Sequence, residues 1–273
     1  IAEQLARGLG QPVLVENRAG AGGKIGTELI QRAARDGYTI GLAIPATMSI
    51  MPLVDPTFTK DPLRDFTPLT LAIETYLTLV VHPSVPARTL AAFIAHAKAN
   101  PGRLAYGTPG SATSYHFYTG MLLDAAGIDA LHVPYKGEAP AVTDLLGGRI
   151  QFMLVAGGAK AHVDSGRLVA LGTSGPQRWS VLPDTPTIAE GGLADYRATG
   201  WLGYIGPGGL PRDIVDRFAA AFADALKAPE VQEVLGAAGY VIRGGGSEEF
   251  AAVIRSDLER FGRAVKSGKI KLE

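Results

Sequence analysis

Four small hydroxyl side chains, Thr108, Ser111, Thr113 and Ser114, crowd into the stretch YGTPGSATSYHFYTG at 106–120, together with Gly107 and Gly110. A strand-like piece ends at Gly107, and helical periodicity begins near Ser111 to Thr113. The first turn of a helix carries N–H groups without intrahelical partners and roughly half a unit of positive charge. With a glycine leaving the main chain bare, that combination suits a small anion. The same residues also suit plain N-capping, in which a Ser or Thr oxygen accepts a main-chain N–H and nothing else is bound. Residue types alone leave both readings open.

A second glycine-rich stretch, RAGAGGKIGTE at 18–28, raises the question of a nucleotide site. A dinucleotide fingerprint needs Gly-x-Gly-x-x-Gly and an acidic residue about 20 positions further on. Counting from Gly20, the third glycine should stand at 25, where the chain has Ile25. No Asp or Glu ends the next apolar run, YTIGLAI, and Lys24 is followed by Ile25 rather than by Ser or Thr. The glycines therefore read as a tight turn with close strand-to-helix packing. A dinucleotide-dependent oxidoreductase is the competing function class, and it lacks its fingerprint here.

Catalytic constellations are equally poor. Ser114 and His116 are two positions apart on a helix and point away from each other, whereas an activated serine needs its base within hydrogen-bond reach. The five histidines (82, 96, 116, 132 and 162) show no metal-ligand spacing. His116 reads as a packing or capping residue. No catalytic residue, metal or cofactor is expected, and the chain does not read as an enzyme.

These stretches must be held by something, and the composition allows it. Hydrophobic residues make up 47% of the 273 and charged residues 19%, enough apolar surface for a packed core. Lys plus Arg balances Asp plus Glu at 26 each, without a long basic run, so a nucleic-acid partner is not expected. The absence of cysteine removes disulfide and thiolate chemistry. The longest uncharged run, 37–54, is broken by Pro45 and Pro52 and reads poorly as a membrane span.

Strand-like and helix-like pieces alternate along the chain. PVLVEN (12–17) reads as a strand, 23–35 as a helix, YTIGLAI (38–44) as a buried strand, and LTLAIETYLTLVVHP (69–83) as strand throughout. Thr89 caps a helix that stops at 100–102. RLAYGT, ALHVPY, IQFMLVA and LVALGTS then alternate with helices over 111–126, 138–147 and 158–165. Such βαβ alternation with near-continuous apolar strands predicts parallel sheets covered by helices. ATGWLGYIGP reads as a strand leaving this region, and the tail reads as three helices opened by Pro211, Pro229 and Ser247. The pattern divides into one lobe of 1–84 with 203–273 and a second, inserted lobe of 85–202. At Ile1 the helical pattern is already running without a capping residue, so further residues upstream are expected in the natural chain.

The ordered set QPVLVENRAGAGGKIG, DGYTIGLA, YGTPGSATSYHF, VPYKGEAPAVTDLLGGRIQFM, LPDTPTIAEGGL and GPGGLP resembles the substrate-binding receptors of tripartite tricarboxylate transporters, the Bug receptors, over essentially all of the chain. The resemblance implies an α/β, two-lobed periplasmic binding protein fold (type II-like), each lobe a mostly parallel sheet flanked by helices. It implies a periplasmic, monomeric receptor that closes on a small carboxylate in Venus-flytrap fashion and delivers it to the membrane permease subunits of the transporter. Carried over residue by residue, the ligand contacts would be Thr108, Gly110, Ser111, Ala112, Thr113 and Ser114 from the second lobe, Thr47 from the first, and Ala156 and Gly157 after IQFMLV. Ala112 stands where the family often has glycine. The strand and Pro-Gly-Gly loop with which the family begins are not in this sequence; were they missing from the molecule itself, one wall of the cleft and a sheet strand would go with them.

Overall fold

A computed structural model describes residues 1–18 and 20–268. The chain forms two compact units, one of Ile1–Glu74 with Trp201–Val265 and one built on Thr75–Gly200. The crossings fall at 74/75 and 200/201, against the 84/85 and 202/203 read from the sequence.

The first unit opens with α1 (Ala2–Leu9), stopped by Gly10 in a left-handed conformation, φ 68°. It continues through α2 (Lys24–Arg32), the short strand β1 (Gly41–Ala43), the short helix α3 (Met51–Val54) and the long strand β2 (Phe66–Thr75). The chain returns to it in β8 (Gly200–Pro207), α8 (Arg212–Lys227), α9 (Pro229–Ala237), β9 (Val241–Gly245) and α10 (Ser247–Lys266). The sheet runs β1-β8-β2-β9. Successive residues of β8 point to opposite faces. Ile205 joins a core with Trp201, Phe250 and Ile254 of α10, and Ile30 of α2, while Tyr204 packs with Leu5 of α1 and Phe218 and Phe222 of α8.

The second unit holds β3 (Thr78–Val81), α4 (Leu90–Ala99), β4 (Ala105–Thr108), α5 (Ser114–Ala126), β5 (Leu131–Pro134), α6 (Glu138–Leu146), β6 (Phe152–Val155), α7 (Ala159–Asp164) and β7 (Val169–Thr173). Its sheet runs β5-β4-β6-β3-β7. Thr89 caps α4, its hydroxyl oxygen accepting the Ala92 N–H at 3.2 Å.

Several expectations need correction. Neither sheet is mostly parallel: that of the second unit is mixed, and the pairings described in the first are antiparallel. β4 is parallel to β5 and β6, but β3 is antiparallel to both β6 and β7, and β1 and β2 are antiparallel to β8 and β9 respectively. Near-continuous apolar strands report burial on both faces, not direction. The run 69–83 is two strands, β2 and β3, which belong to different sheets; side-chain periodicity does not register such a change of sheet. The tail is not wholly helical, because β9 pairs with β2, with a register shift between Leu71 and Ile73. The segment 12–17 forms no strand. Among the described residues no main-chain hydrogen bond ties it to another segment, and Leu14 and Val15 are 91% and 72% exposed. It borders a trough of about 890 Å³ lined by Leu5, Val13, Ile30, Ile40, Leu42 and Phe218. A strand is defined by its partner, and β propensity without one leaves an extended, solvated chain.

Packing is close where β8 meets α10. Phe250 sits edge-on to Trp201, ring centroids 5.0 Å apart, and over Gly203, where an added Cβ would lie 2.2 Å from its Cζ. Gly203→Ala is expected to destabilise the protein by about 1–3 kcal/mol through overpacking, read from denaturant unfolding. A variant of wild-type stability would show that the ring has room to move.

Candidate functional site

In the second unit, Tyr106 and Phe152 are paired across β4 and β6 and stack at 5.5 Å, with Phe93 of α4 edge-on to Phe152 at 5.0 Å. The neighbouring residues Met153 and Val155 face the other way, toward Ala141 and Leu145 of α6 and Ala159 of α7. The connection from β4 enters α5, whose His116 joins the Tyr106 side of the sheet through the ring of His132. The connections from β5 and β6 lead instead into α6 and α7 on the opposite face. Where neighbouring parallel strands send their chains to opposite faces, a crevice opens beyond their C-terminal ends, and ligands of α/β sheets bind there.

The turn from β4 into α5 lies at that edge. Gly110 has φ 146° and Ala112 φ 58°, the latter unusual for a residue with a side chain. Two hydroxyls converge on the Gly110 carbonyl: Thr113 Oγ1 donates to it at 2.8 Å and Thr108 Oγ1 at 3.1 Å. Thr113 is also the N-cap of α5, its oxygen accepting the His116 N–H at 3.4 Å. The Ala112 N–H donates to Nδ1 of His116 at 3.3 Å. The Tyr135 N–H donates to the Thr108 carbonyl at 2.9 Å and the Gly137 N–H to the Pro109 carbonyl at 3.2 Å, which ties the turn to the β5–α6 connection.

What remains uncommitted is informative. Among the described residues, nothing accepts from the main-chain N–H groups of Ser111, Thr113 and Ser114, and nothing engages the hydroxyls of Ser111 and Ser114. All three residues are partly exposed at the head of a 13-residue helix. Thr108 is fully buried, so its hydroxyl serves the turn rather than the surface. No Lys or Arg occurs between 105 and 116, so an anion here would meet dipoles rather than a cation. Burial first, and the neighbouring imidazole of His132 second, bring His116 down to about 4, which leaves it uncharged at neutral pH.

The remaining sequence-derived positions divide. Ala156 and Gly157 leave the same sheet edge after β6, and their carbonyls accept the N–H groups of Ala159 at 3.0 Å and Lys160 at 3.4 Å. Thr47 belongs to the first unit, in the short helical segment Ala46–Ile50 that follows β1. It is buried, and its hydroxyl donates to the Ile44 carbonyl at 3.2 Å. Sequence reasoning missed His132, whose Nε2 lies 2.7 Å from Thr108 Oγ1. It also missed Thr78 and Thr173, cross-strand partners at this edge whose buried hydroxyls have no partner among the described residues. A lone threonine in an apolar strand carries no signal that its hydroxyl will be left unpaired.

The glycine-rich turn of the first unit behaves as scaffold. Gly20, Gly22 and Gly23 all have left-handed or related positive φ values, 133°, 63° and 97°. Of the two cations of the motif, Lys24 donates to Asp55 Oδ2 at 2.9 Å and Arg18 is paired with Glu16. Thr57 first, and Lys24 second, hold the Asp55 carboxyl down to about 2.

Two α/β units, each on its own helix-flanked sheet, make the fold that solved periplasmic binding proteins share with this chain. Rpa4515 of R. palustris, solved with adipate, is 28% identical, with a TM-score of 0.84 over 98% of this chain and 90% of its own. MatC from Rhodopseudomonas palustris, solved with bound malate, is 26% identical, with a TM-score of 0.80 over 97% and 91%. Protein BugT of Bordetella pertussis is 32% identical over 275 aligned residues, which cover all of this chain and 84% of BugT. The model of the tripartite tricarboxylate transporter family receptor matches residues 1–270, and the chain belongs to that family.

The depressed basicity of His116 carries a stability signature. Unfolded, the imidazole has its ordinary value of 6.5 and gains a proton before the folded form does. Stability conferred by keeping it neutral is complete above 6.5 and is lost as pH falls toward about 4. Thermal melts from neutral to mildly acid pH should show a shallower decline for His116→Phe than for the wild type. Parallel curves would mean that His116 is not held neutral by the fold.

Proposed function

We propose that this chain is a periplasmic solute-binding receptor that captures a small carboxylate at the turn ahead of α5 and delivers it to the membrane subunits of a tripartite transporter. The observation that carries the reading is the set of unpaired donors at Ser111, Thr113 and Ser114, gathered at a helix start on a sheet edge where chain connections diverge. Relatives of the same fold hold adipate and malate, both of them small dicarboxylates. Among the described residues no helix is long and apolar enough to cross a membrane.

Magnitudes decide how the site must work. Micromolar affinity corresponds to about 8 kcal/mol. A helix start contributes roughly 0.3–1 kcal/mol, and up to about 2 when partly buried. The dipole alone falls short. Hydrogen bonds to a charged group contribute about 1.5–3 kcal/mol each. Three or four of them, drawn from the free N–H groups and the hydroxyls of Ser111 and Ser114, close the gap. Thr108 and Thr113 act one step back, holding the Gly110 carbonyl away from the donors.

Ser111→Ala combined with Ser114→Ala is therefore expected to weaken carboxylate binding about tenfold or more, leaving the melting midpoint near that of the wild type. Thr113→Ala should instead cost roughly 0.5–2 kcal/mol of stability through loss of the helix cap. A thermal-shift panel including adipate and malate, followed by titration calorimetry, reads both effects. A wild-type protein that ignores every carboxylate of the panel but responds to NAD would overturn the receptor reading.

A further inference from the structure

The N-terminal turn of α5 departs from a common capping arrangement in a way that bears on the proposed site. In a capping box, the N-cap side chain accepts the N–H of the third helical residue, and that residue's side chain reaches back to the N-cap N–H. Thr113 and His116 occupy those two positions. The first half is present, the His116 N–H donating to Thr113 Oγ1 at 3.4 Å. The second half is shifted by one residue: the His116 ring accepts from Ala112, not from Thr113. The Thr113 N–H is thereby left unpaired, and Ala112, in its left-handed conformation, is the residue tied down.

His116 is itself held from the other side. Its ring lies almost parallel to that of His132, with centroids 4.0 Å apart and an interplanar angle of 11°. His132 Nε2 lies 2.7 Å from the hydroxyl of Thr108, which donates onward to the Gly110 carbonyl. The contact with His132 is a hydrogen bond between Nε2 and that hydroxyl, its direction set by the imidazole tautomer. For His116 the neutral ring carries its proton on Nε2, since Nδ1 accepts from Ala112. The two stacked rings thus grip the turn at both ends, through Thr108 at the end of β4 and through Ala112 ahead of α5. Tyr106 stacks on the far face of the arrangement, 5.0 Å from His132.

We infer that His116 and His132 form a positioning pair that holds this turn in its donor-presenting form, and that His116 supplies a neutral acceptor where a capping carboxylate would repel the ligand. The inference rests on the reading of the turn as a carboxylate site. Glutamate and glutamine are the usual residues at the third helical position of a capping box. Glutamate there would satisfy the main chain equally well, yet would place a negative charge beside the free N–H groups of Ser111, Thr113 and Ser114. An imidazole kept uncharged by burial gives the hydrogen bond without the charge.

Three variants separate geometry from charge. His116→Phe keeps an aromatic ring but no acceptor, His116→Gln keeps a neutral acceptor, and His116→Glu keeps an acceptor and adds charge. Amide exchange across 109–115 and calorimetric titration with adipate and with malate are the two readouts. His116→Phe should speed exchange of the Ala112 amide and weaken binding, each about tenfold. His116→Gln should restore both, whereas His116→Glu should restore slow exchange while binding stays about tenfold or more weaker. In the unmodified protein, imidazole nitrogen spectra near neutral pH should show His116 as the neutral Nε2–H form, a readout that needs no variant to fold. A protonated His116 or the other tautomer in the wild type, or a phenylalanine variant matching it in exchange and affinity, would overturn the pair's role. If the wild type binds neither probe but keeps the tautomer and the exchange pattern, the receptor reading fails and the clamp on the turn stands.

Discussion

A helix that starts at the edge of a sheet leaves main-chain N–H groups pointing away from their own hydrogen-bond ladder, and each must find an acceptor or face water. At α5 the protein satisfies these groups selectively. The Thr113 hydroxyl takes the His116 N–H and the His116 ring takes that of Ala112, while the N–H groups of Ser111, Thr113 and Ser114 stay open on a partly exposed surface. The threonine hydroxyls that converge on Gly110 keep its carbonyl occupied, so the turn shows donors outward and keeps an acceptor inward. A carboxylate, which only accepts, is the complement of such a surface.

The sheet beneath contributes position rather than chemistry. β4 is flanked by two parallel neighbours, and its connection alone turns toward the aromatic side formed by Tyr106, Phe152 and Phe93. The connections of β5 and β6 turn toward the aliphatic side, where Met153 and Val155 meet α6 and α7. The opening at the edge follows from that divergence, and it brings Ala156 and Gly157 to the same edge as Ser111 and Ser114. The antiparallel strands β3 and β7 bring Thr78 and Thr173 to this edge as well, with hydroxyls that lack partners among the described residues. A buried hydroxyl without a partner is costly and is commonly met by an ordered water.

In the first unit, a motif that looks like a phosphate cradle is spent on structure. Gly23 serves as the N-cap of α2 in a left-handed conformation, and Lys24 is drawn to Asp55 and Thr57. A nucleotide site would need that lysine free and a third glycine one position earlier. The chain belongs to the tripartite tricarboxylate transporter receptor family, and its turn at 20–23 is committed to packing and to the Lys24–Asp55 contact.

Much of this was legible in the residues because the information is local. Gly10 ending α1, Thr89 and Thr113 heading helices, and the alternation of apolar strands with amphipathic helices all rest on interactions spanning a few residues, which composition and spacing report directly. So does the grouping of Ser111, Thr113 and Ser114 at one helix start. Only the tertiary structure decided the rest. The run 69–83 reads as one strand, yet it is divided between two sheets because its neighbours, β8 and β9 on one side and β6 and β7 on the other, come from distant parts of the chain. Residues 12–17 have the residues of a strand but no main-chain hydrogen-bonded partner among the described residues, and β9 reads as loop until β2 supplies one. Within the site, Thr108 and Ser111 are chemically alike in the sequence, yet one hydroxyl is consumed by Gly110 and His132 while the other stays free. That distinction depends on a histidine 24 positions away being carried alongside by strand pairing, and the spacing of residues along a chain does not record which of two hydroxyls will meet it.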